Sequence, residues 1–535
     1  MTAMDFYLDE EPWLPVIRGD GQTDLCSLRT VLIEAHMIRE LFDPSPLVIA
    51  ALVRLLLVVL HRCFGPRSED VWRALWQRGR FDEYVVSGYL DQCHPRFDLF
   101  AQVRPFYQVM FAPEMETLPI QVLVHDAATG NNATLWDHNF NDRPAPLLPD
   151  AAARMLVTTQ AFALGGGNSK PFYLSDAALT RGFTVQIEGE TLFQTLMLNL
   201  VIYNDHLPMP RTAGDLPAWE QDEVATPDKD GTSPAGYLDY LTFLSRRVHL
   251  IPDAEGTVSR CQVLQNLKLR ESGRIDPFKA YLRDEKRGFR PLLLKADRAL
   301  WRESHTLLEE QSPEAERPEI FNHLGKVARW QRTHAINARS GYSFSVYGMA
   351  TEPAKSLIYL WRHERLPLPL AYLEEKRLRG RLREALTLAE GAGKVLSSVS
   401  WTLAANLLSP VAGGPQPDRA AVGRLSDSFR ARLLYWPRLE APFRRLMSEL
   451  ADDRKEDDEG DVHYGDTCIP EWIEVVRSTV QTAFKEIIGA AGFDLRSIRA
   501  VALAENEFGW RIHRVLGAHP AYVKEGQYDS APAAD

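Results

Sequence analysis

The run Gly165-Gly166-Gly167-Asn168 is the part of this chain best suited to meeting a ligand closely. Three successive glycines carry no Cβ and accept positive φ, so their N–H groups can approach a phosphate oxygen or a base edge. The spacing is not a GxGxxG opening a helix, and no Lys-Ser/Thr pair follows; on spacing alone it reads more readily as a plain tight turn. Cations form the second resource. Lys376, Arg377, Arg379 and Arg381 crowd one helical stretch and another basic stretch covers 283–290; such clusters either contact phosphates or form a solvated, salt-bridged face. Catalytic patterns are missing: there is no HExxH, Walker A or nucleophile elbow, and no His/Cys cluster at metal spacing. His36, His61, His94, His138, His206 and His334 stand on separate segments, where core or surface hydrogen bonding is the ordinary role. The acidic run 451–459 contains Arg454 and Lys455 and reads as a solvated linker.

Composition limits what such residues can do together. The 535-residue chain carries a net charge of −11, so it does not coat nucleic acid with its whole surface; any contact must be local or shared with more basic partners. Five cysteines, at 26, 63, 93, 261 and 468, are odd in number, far apart and without a CxxC. With no signal peptide after Met1 they read as reduced thiols of a cytoplasmic protein, with no metal and no cofactor expected. The apolar stretch 47–60, interrupted by Arg54, is too short to span a bilayer and reads as a buried helix.

The elements that must position these residues change character along the chain. Up to 366, short alternating runs such as Phe183-Thr184-Val185-Gln186-Ile187 and Ser343-Phe344-Ser345-Val346-Tyr347 are mixed with helical stretches and Pro/Gly punctuation. After Leu366-Pro367-Leu368-Pro369, apolar residues recur at helical spacing over 373–396, 419–450, 470–491 and 495–516. The expected architecture is therefore α+β: a large mixed domain over 1–366, a C-terminal four-helix bundle over 370–520, and a disordered tail over 521–535.

One segment carries more specific information. His94-Pro95-Arg96-Phe97-Asp98-Leu99-Phe100, running on to Arg104-Pro105-Phe106-Tyr107-Gln108, sets two prolines among four aromatics in about a dozen residues, a rigid non-helical piece anchored in a core. Its FDLF and RPFYQ resemble the FDLF and RPFxQ signature of the CasA family, the large subunit of the type I-E CRISPR Cascade complex. Flanking features follow the family's order: Trp13-Leu14-Pro15-Val16 resembles its opening WIPV strand, Leu135-Trp136-Asp137-His138 its LFDH, and Gly165-Gly166-Gly167-Asn168 its glycine loop. The resemblance is specific to about residue 200 and architectural over much of the rest.

The resemblance implies a non-catalytic DNA-recognition subunit. Its partners would be guide RNA, the backbone, small and RNA-end-binding Cascade subunits, target double-stranded DNA and a helicase-nuclease, with no membrane. Gly165, Gly166, Gly167 and Asn168 would lie against the minor groove of the protospacer-adjacent motif, where the degenerate acceptor pattern gives loose specificity. Lys268, with Arg270 as fallback, would enter the same groove. Gly348-Met349-Ala350-Thr351-Glu352-Pro353-Ala354-Lys355 matches the family's wedge hairpin but lacks its glutamine, leaving Thr351, Glu352, Pro353, Ala354 and Lys355 to wedge by bulk. Leu135, Trp136, Asp137 and His138 would reach the guide RNA and the rest of the complex, and Lys376, Arg377, Arg379 and Arg381 would contact phosphates. A scaffold subunit without motif reading and a nucleotide-binding enzyme are the competing readings.

Overall fold

In the computed structural model, residues 5–517 are described except 112–114, 126–144, 167–168, 170–171, 204–208, 210–211, 224–225, 271–275, 286–287, 310–314, 334–341, 353–356, 410–416, 458–460 and 493. The chain forms two units, one taking everything up to Leu300 together with Glu309–Leu366, the other Trp301–Leu308 together with the chain from Pro367 onward.

The first unit mixes helices and small antiparallel sheets, as expected for an α+β fold. Trp13 leads into the strand Leu14–Arg18, which pairs with Thr23–Cys26 and Ile38–Leu41. Ser27 starts the next helix, Leu28–Ile33, because its Oγ accepts from the Thr30 N–H at 3.1 Å. The core helix Pro46–Cys63 begins with proline at its first turn and has no interior glycine. At 18 residues it exceeds the apolar stretch read from the sequence, and its length and apolarity alone would suffice to cross a bilayer. Its surroundings decide otherwise: Leu47, Leu52, Leu56 and Leu60 on successive turns are buried, and Arg54 is held inside the same core.

The two alternating runs read from the sequence are strands, and they pair with each other. Phe183–Glu188 lies antiparallel to Tyr342–Glu352, in register from Ser343 opposite Glu188 to Gly348 opposite Phe183, with Leu357–Leu368 on the other side. A second sheet joins Arg246–Pro252, Val258–Gln265 and the short Leu118–Pro119.

His61, near the end of the core helix, has no hydrogen-bond partner on either ring nitrogen among the described residues and packs edge-on to Tyr203 and Tyr237. Burial, with help from neighbouring His323, pulls its pKa from 6.5 to about 3; burial likewise takes His323 to about 4. Both are depressed on folding, so their stabilising contribution is complete above pH 6.5 and is lost as pH falls towards 3. The melting temperature should therefore drop as pH is lowered from 6.5 to 4, and His61→Phe should flatten that slope; an unchanged slope would remove His61 from the account.

The second unit is helical, with helices at Lys376–Leu408, Arg419–Ser428, Ala431–Asp452, Cys468–Gly489 and Leu495–Ile512. The stretch expected to be continuous over 419–450 is two helices, because Arg430 adopts a left-handed φ of 52° at the junction. Tyr435 donates to Ala389 O (2.8 Å) and Trp472 Nε1 to Ala385 O (2.9 Å), while Phe484 and Phe508 stack at 4.1 Å. Gly393 permits close approach here, since a Cβ would lie 2.7 Å from the Trp436 ring.

Candidate nucleic-acid interface

The FDLF and RPFYQ segments turn out to be a structural lock. Asp98 accepts from the N–H groups of Phe6 and Phe100 at 3.2 and 3.0 Å, and Phe97 and Phe106 stack at 5.4 Å against Trp219. Gln108 closes it: its Nε2 donates to Leu99 O and its Oε1 accepts from Leu250 N–H, both at 2.7 Å. Leu250 belongs to the strand Arg246–Pro252, so this lock also fixes where Arg246 stands.

Arg246 is the buried support of the glycine loop. Its guanidinium donates to Leu164 O (3.0 Å) and Ser175 O (2.7 Å), the two sides of the loop, and to Ser245 O and the Gln265 side chain. Burial pulls its pKa down to about 10, opposed by nearby Asp176, yet it stays protonated at neutral pH. The hydrogen bonds of this cation go to carbonyl and amide oxygens, and its nearby countercharge is Asp176. Gln160, on the helix Pro149–Phe162 that leads into the loop, accepts from Arg246 N–H at 3.0 Å and donates to Arg246 O at 2.9 Å.

The glycines at the loop's entry are required by its geometry. Gly165 N–H donates to Asp176 Oδ1 (2.7 Å), and a Cβ there would lie 2.8 Å from the Asp176 backbone nitrogen. Gly166 N–H donates to Leu174 O (2.8 Å) with φ at 114°, a conformation reserved in practice for glycine. Gln265, ending its strand, holds the other side: its N–H donates to Ser169 Oγ at 2.9 Å and its Oε1 accepts from Ser175 N–H at 2.7 Å. Gly167 and Asn168 lie outside the described residues.

Lys268 follows Gln265 by three residues, so the lysine segment leaves from the same support as the loop. It is half-buried, with Nζ donating to Lys229 O at 3.0 Å, and Arg270 is exposed with Nη2 on Gly231 O at 2.9 Å. The backbone of this segment is propped by Thr232, whose N–H donates to Lys268 O at 2.7 Å. Thr351 lies near the end of the long strand Tyr342–Glu352 and accepts a hydrogen bond from Arg181. Pro353, Ala354 and Lys355, and likewise Leu135, Trp136, Asp137 and His138, lie outside the described residues, as does the 521–535 tail; of Glu352 only the backbone is described.

On the helical unit, Lys376 is exposed, whereas the arginines are engaged. Arg377 pairs with Asp461 at 2.9 Å, Arg379 donates to Tyr372 O at 2.9 Å, and Arg381 donates to Tyr464 O and Glu384, both at 2.8 Å. Asp9, Glu10 and His94 bring ligand atoms within 4.8 Å of one another, but Asp9 is already shared between Arg29 (3.5 Å) and His94 Nδ1 (2.9 Å). Burial pushes the Cys261 thiol up to about 12, which disfavours the thiolate a metal would need. The supports Asp176, Arg181, Arg246 and Gln265 carried no signal in the sequence, because each acts through partners distant along the chain.

This fold, a mixed unit followed along the chain by a helical one, belongs to a class of CRISPR-associated proteins. The family model described as CRISPR-associated protein Cse1 matches residues 8–483. A CRISPR-associated protein CasA/Cse1 from Thermus thermophilus is 30% identical over 526 residues, covering 96% of this chain and 97% of its own. The solved structure of Thermus thermophilus CasA (Cse1) superposes with a TM-score of 0.79 at 26% identity, covering 95% of this chain and 99% of that one. A chain of a CRISPR RNA-guided surveillance complex shares the fold, with a TM-score of 0.74 at 21% identity over 94% of this chain and 99% of that one. The chain belongs to the Cse1 (CasA) family.

Proposed function

We propose that this chain is the non-catalytic large subunit of a type I-E Cascade surveillance complex. In this reading guide RNA supplies sequence recognition, while the subunit reads a short motif in duplex DNA, starts separation of the adjacent pairs and offers the surface that recruits a helicase-nuclease. The observation that carries the reading is the support shared by the three elements: Arg246 and Gln265 brace the glycine loop, Gln265 leads directly to Lys268, and Arg181 reaches Thr351. Gly165 to Asn168 are assigned to the motif's minor groove, Lys268 or Arg270 to the same groove, and Thr351 to Lys355 to the wedge. Leu135 to His138 are assigned to guide RNA and neighbouring subunits. Phosphate contacts on the helical unit fall to Lys376, Arg377, Arg379 and Arg381; for the arginines a phosphate would exchange with the partners they now hold. The complex would act in the cytoplasm.

Lys268 gives the direct test of groove reading. Lys268→Ala in guide-loaded complex should weaken binding to a motif-matched duplex about tenfold, roughly the 1.4 kcal/mol of one good polar contact, and leave scrambled-motif binding within about twofold. Equal loss on both duplexes, measured by filter binding at one salt concentration, would reduce Lys268 to a general phosphate contact and favour a scaffold role.

A further inference from the structure

Asp176 and Arg181 form a polar relay that runs from the glycine loop to the hairpin strand. Asp176 Oδ1 accepts from Gly165 N–H at 2.7 Å and from Arg181 Nη2 at 3.2 Å, and Asp176 Oδ2 accepts from Arg181 Nε at 2.6 Å. The third arm of the same guanidinium, Nη1, donates to Thr351 Oγ1. One planar cation thus grips the carboxylate that holds the loop's entry and the hydroxyl of Thr351, the first residue of the segment assigned to the wedge. Arginine is suited to this because its donors are fixed in one plane, which a lysine ammonium cannot reproduce.

The strand register explains why this reach matters. Phe183–Glu188 pairs with the long strand only as far as Gly348 opposite Phe183, so residues 349–352 run beyond the end of that partner. Arg181 sits two residues before Phe183, at that end, and its side chain bonds the overhang at Thr351. The turn holding Arg181 is itself fixed: Lys279 Nζ donates to Arg181 O at 2.8 Å, and Gly182, at φ 85°, has no room for a Cβ, which would lie 2.9 Å from Pro291 Cβ. The relay is thus mounted on a rigid turn, with both of its outer ends on elements assigned to DNA.

We infer that Arg181 is a positioning residue that couples occupancy of the glycine loop to placement of the strand-separating hairpin. This rests on the recognition reading above. A duplex seated on the loop bears on Gly165, hence on Asp176, and through Arg181 on Thr351, so motif binding sets the hairpin's position before the first pairs open. Cutting the relay leaves the two elements in place and makes them independent.

The test uses the full guide-loaded complex carrying Arg181→Lys or Arg181→Gln, the first keeping the charge and the second a planar amide donor, neither able to grip Asp176 and Thr351 together. Motif-dependent association is measured with a duplex crosslinked so that it cannot open, and opening with 2-aminopurine placed beside the motif. Both variants should associate within about twofold of wild type yet open the duplex at least about tenfold more slowly, a barrier rise of roughly 1.4 kcal/mol, and a target with a pre-opened bubble should restore the wild-type rate. Unchanged opening, or parallel loss of association and opening, would overturn the coupling. Gly166→Asp run alongside separates the two levels: if it leaves motif binding intact, the loop assignment itself fails; if it abolishes binding while Arg181→Lys and Arg181→Gln open normally, only the coupling fails.

Discussion

Gly166→Asp should reduce motif-dependent duplex binding by about a hundredfold or more, equivalent to roughly 2.7 kcal/mol, while leaving the subunit folded. Two effects combine at this position. Gly166 has φ at 114°, so any side chain brings backbone strain of about 1–3 kcal/mol, which relaxes by displacing the loop from its bond to Leu174. An aspartate also sets a negative charge where the proposed occupant is an anionic DNA backbone. Gly166→Asn separates the terms: it shares the bulk and the strain, tolerates positive φ better than most residues, and adds no charge. The Asp variant should therefore bind more weakly than the Asn variant at low salt, and the gap should narrow as salt screens it. Thermal melts within a few degrees of wild type for both would show that the loop and not the fold was affected. Wild-type binding by Gly166→Asp would remove the loop from the interface.

The second large effect concerns stability. Arg54 is the one basic residue in an otherwise apolar stretch of the core helix, and its guanidinium is spent entirely inside the protein. Nε donates to Leu241 O at 2.8 Å, Nη2 to Tyr240 O at 2.5 Å, and Nη1 faces Asp276 Oδ2 at 3.4 Å. Asp276 is fully buried and also accepts from Tyr240 Oη at 2.7 Å and Phe278 N–H at 2.9 Å. Arg54 therefore ties the core helix to the segments around 240 and 276 at once. Arg54→Met keeps the bulk of the stem but strands the Asp276 carboxylate and two carbonyls in the interior, which costs about 3–5 kcal/mol. Urea unfolding should show that loss, and Arg54→Met with Asp276→Asn should recover part of it, because the stranded charge is then gone. A single variant within about 1 kcal/mol of wild type would mean that water reaches the site and the pair is not a buried tie.

Much of this arrangement could be read from the residues themselves. The prolines and aromatics of the FDLF and RPFYQ segments announced a rigid buried piece, and the two alternating runs announced strands, since both signals are local. That those strands pair with each other across about 150 residues of intervening chain is a property of tertiary packing that period-2 patterning does not encode. The helical stretches after 370 were legible from their periodicity, whereas the break at Arg430 was not, because two helices separated by two residues keep the apolar spacing nearly in phase. At the interface, the glycines stood out by composition alone. Their supports did not: Gln265 looks like any strand residue, and Arg246 like half of an exposed Arg-Arg pair, until the fold buries it under the loop with only 2% of its surface exposed. The glutamine that the resemblance leads one to expect near 351–355 is missing from the sequence, and nothing local in the sequence announces the hydrogen bond that Arg181 gives Thr351.

The most direct measurement is target-duplex binding by guide-loaded complex reconstituted with and without this chain, on targets whose flanking motif is matched or scrambled. Motif-selective binding should appear only when the chain is present, and the selectivity should be lost with Gly166→Asp. Motif-selective binding that persists without the chain would contradict a recognition role for this subunit.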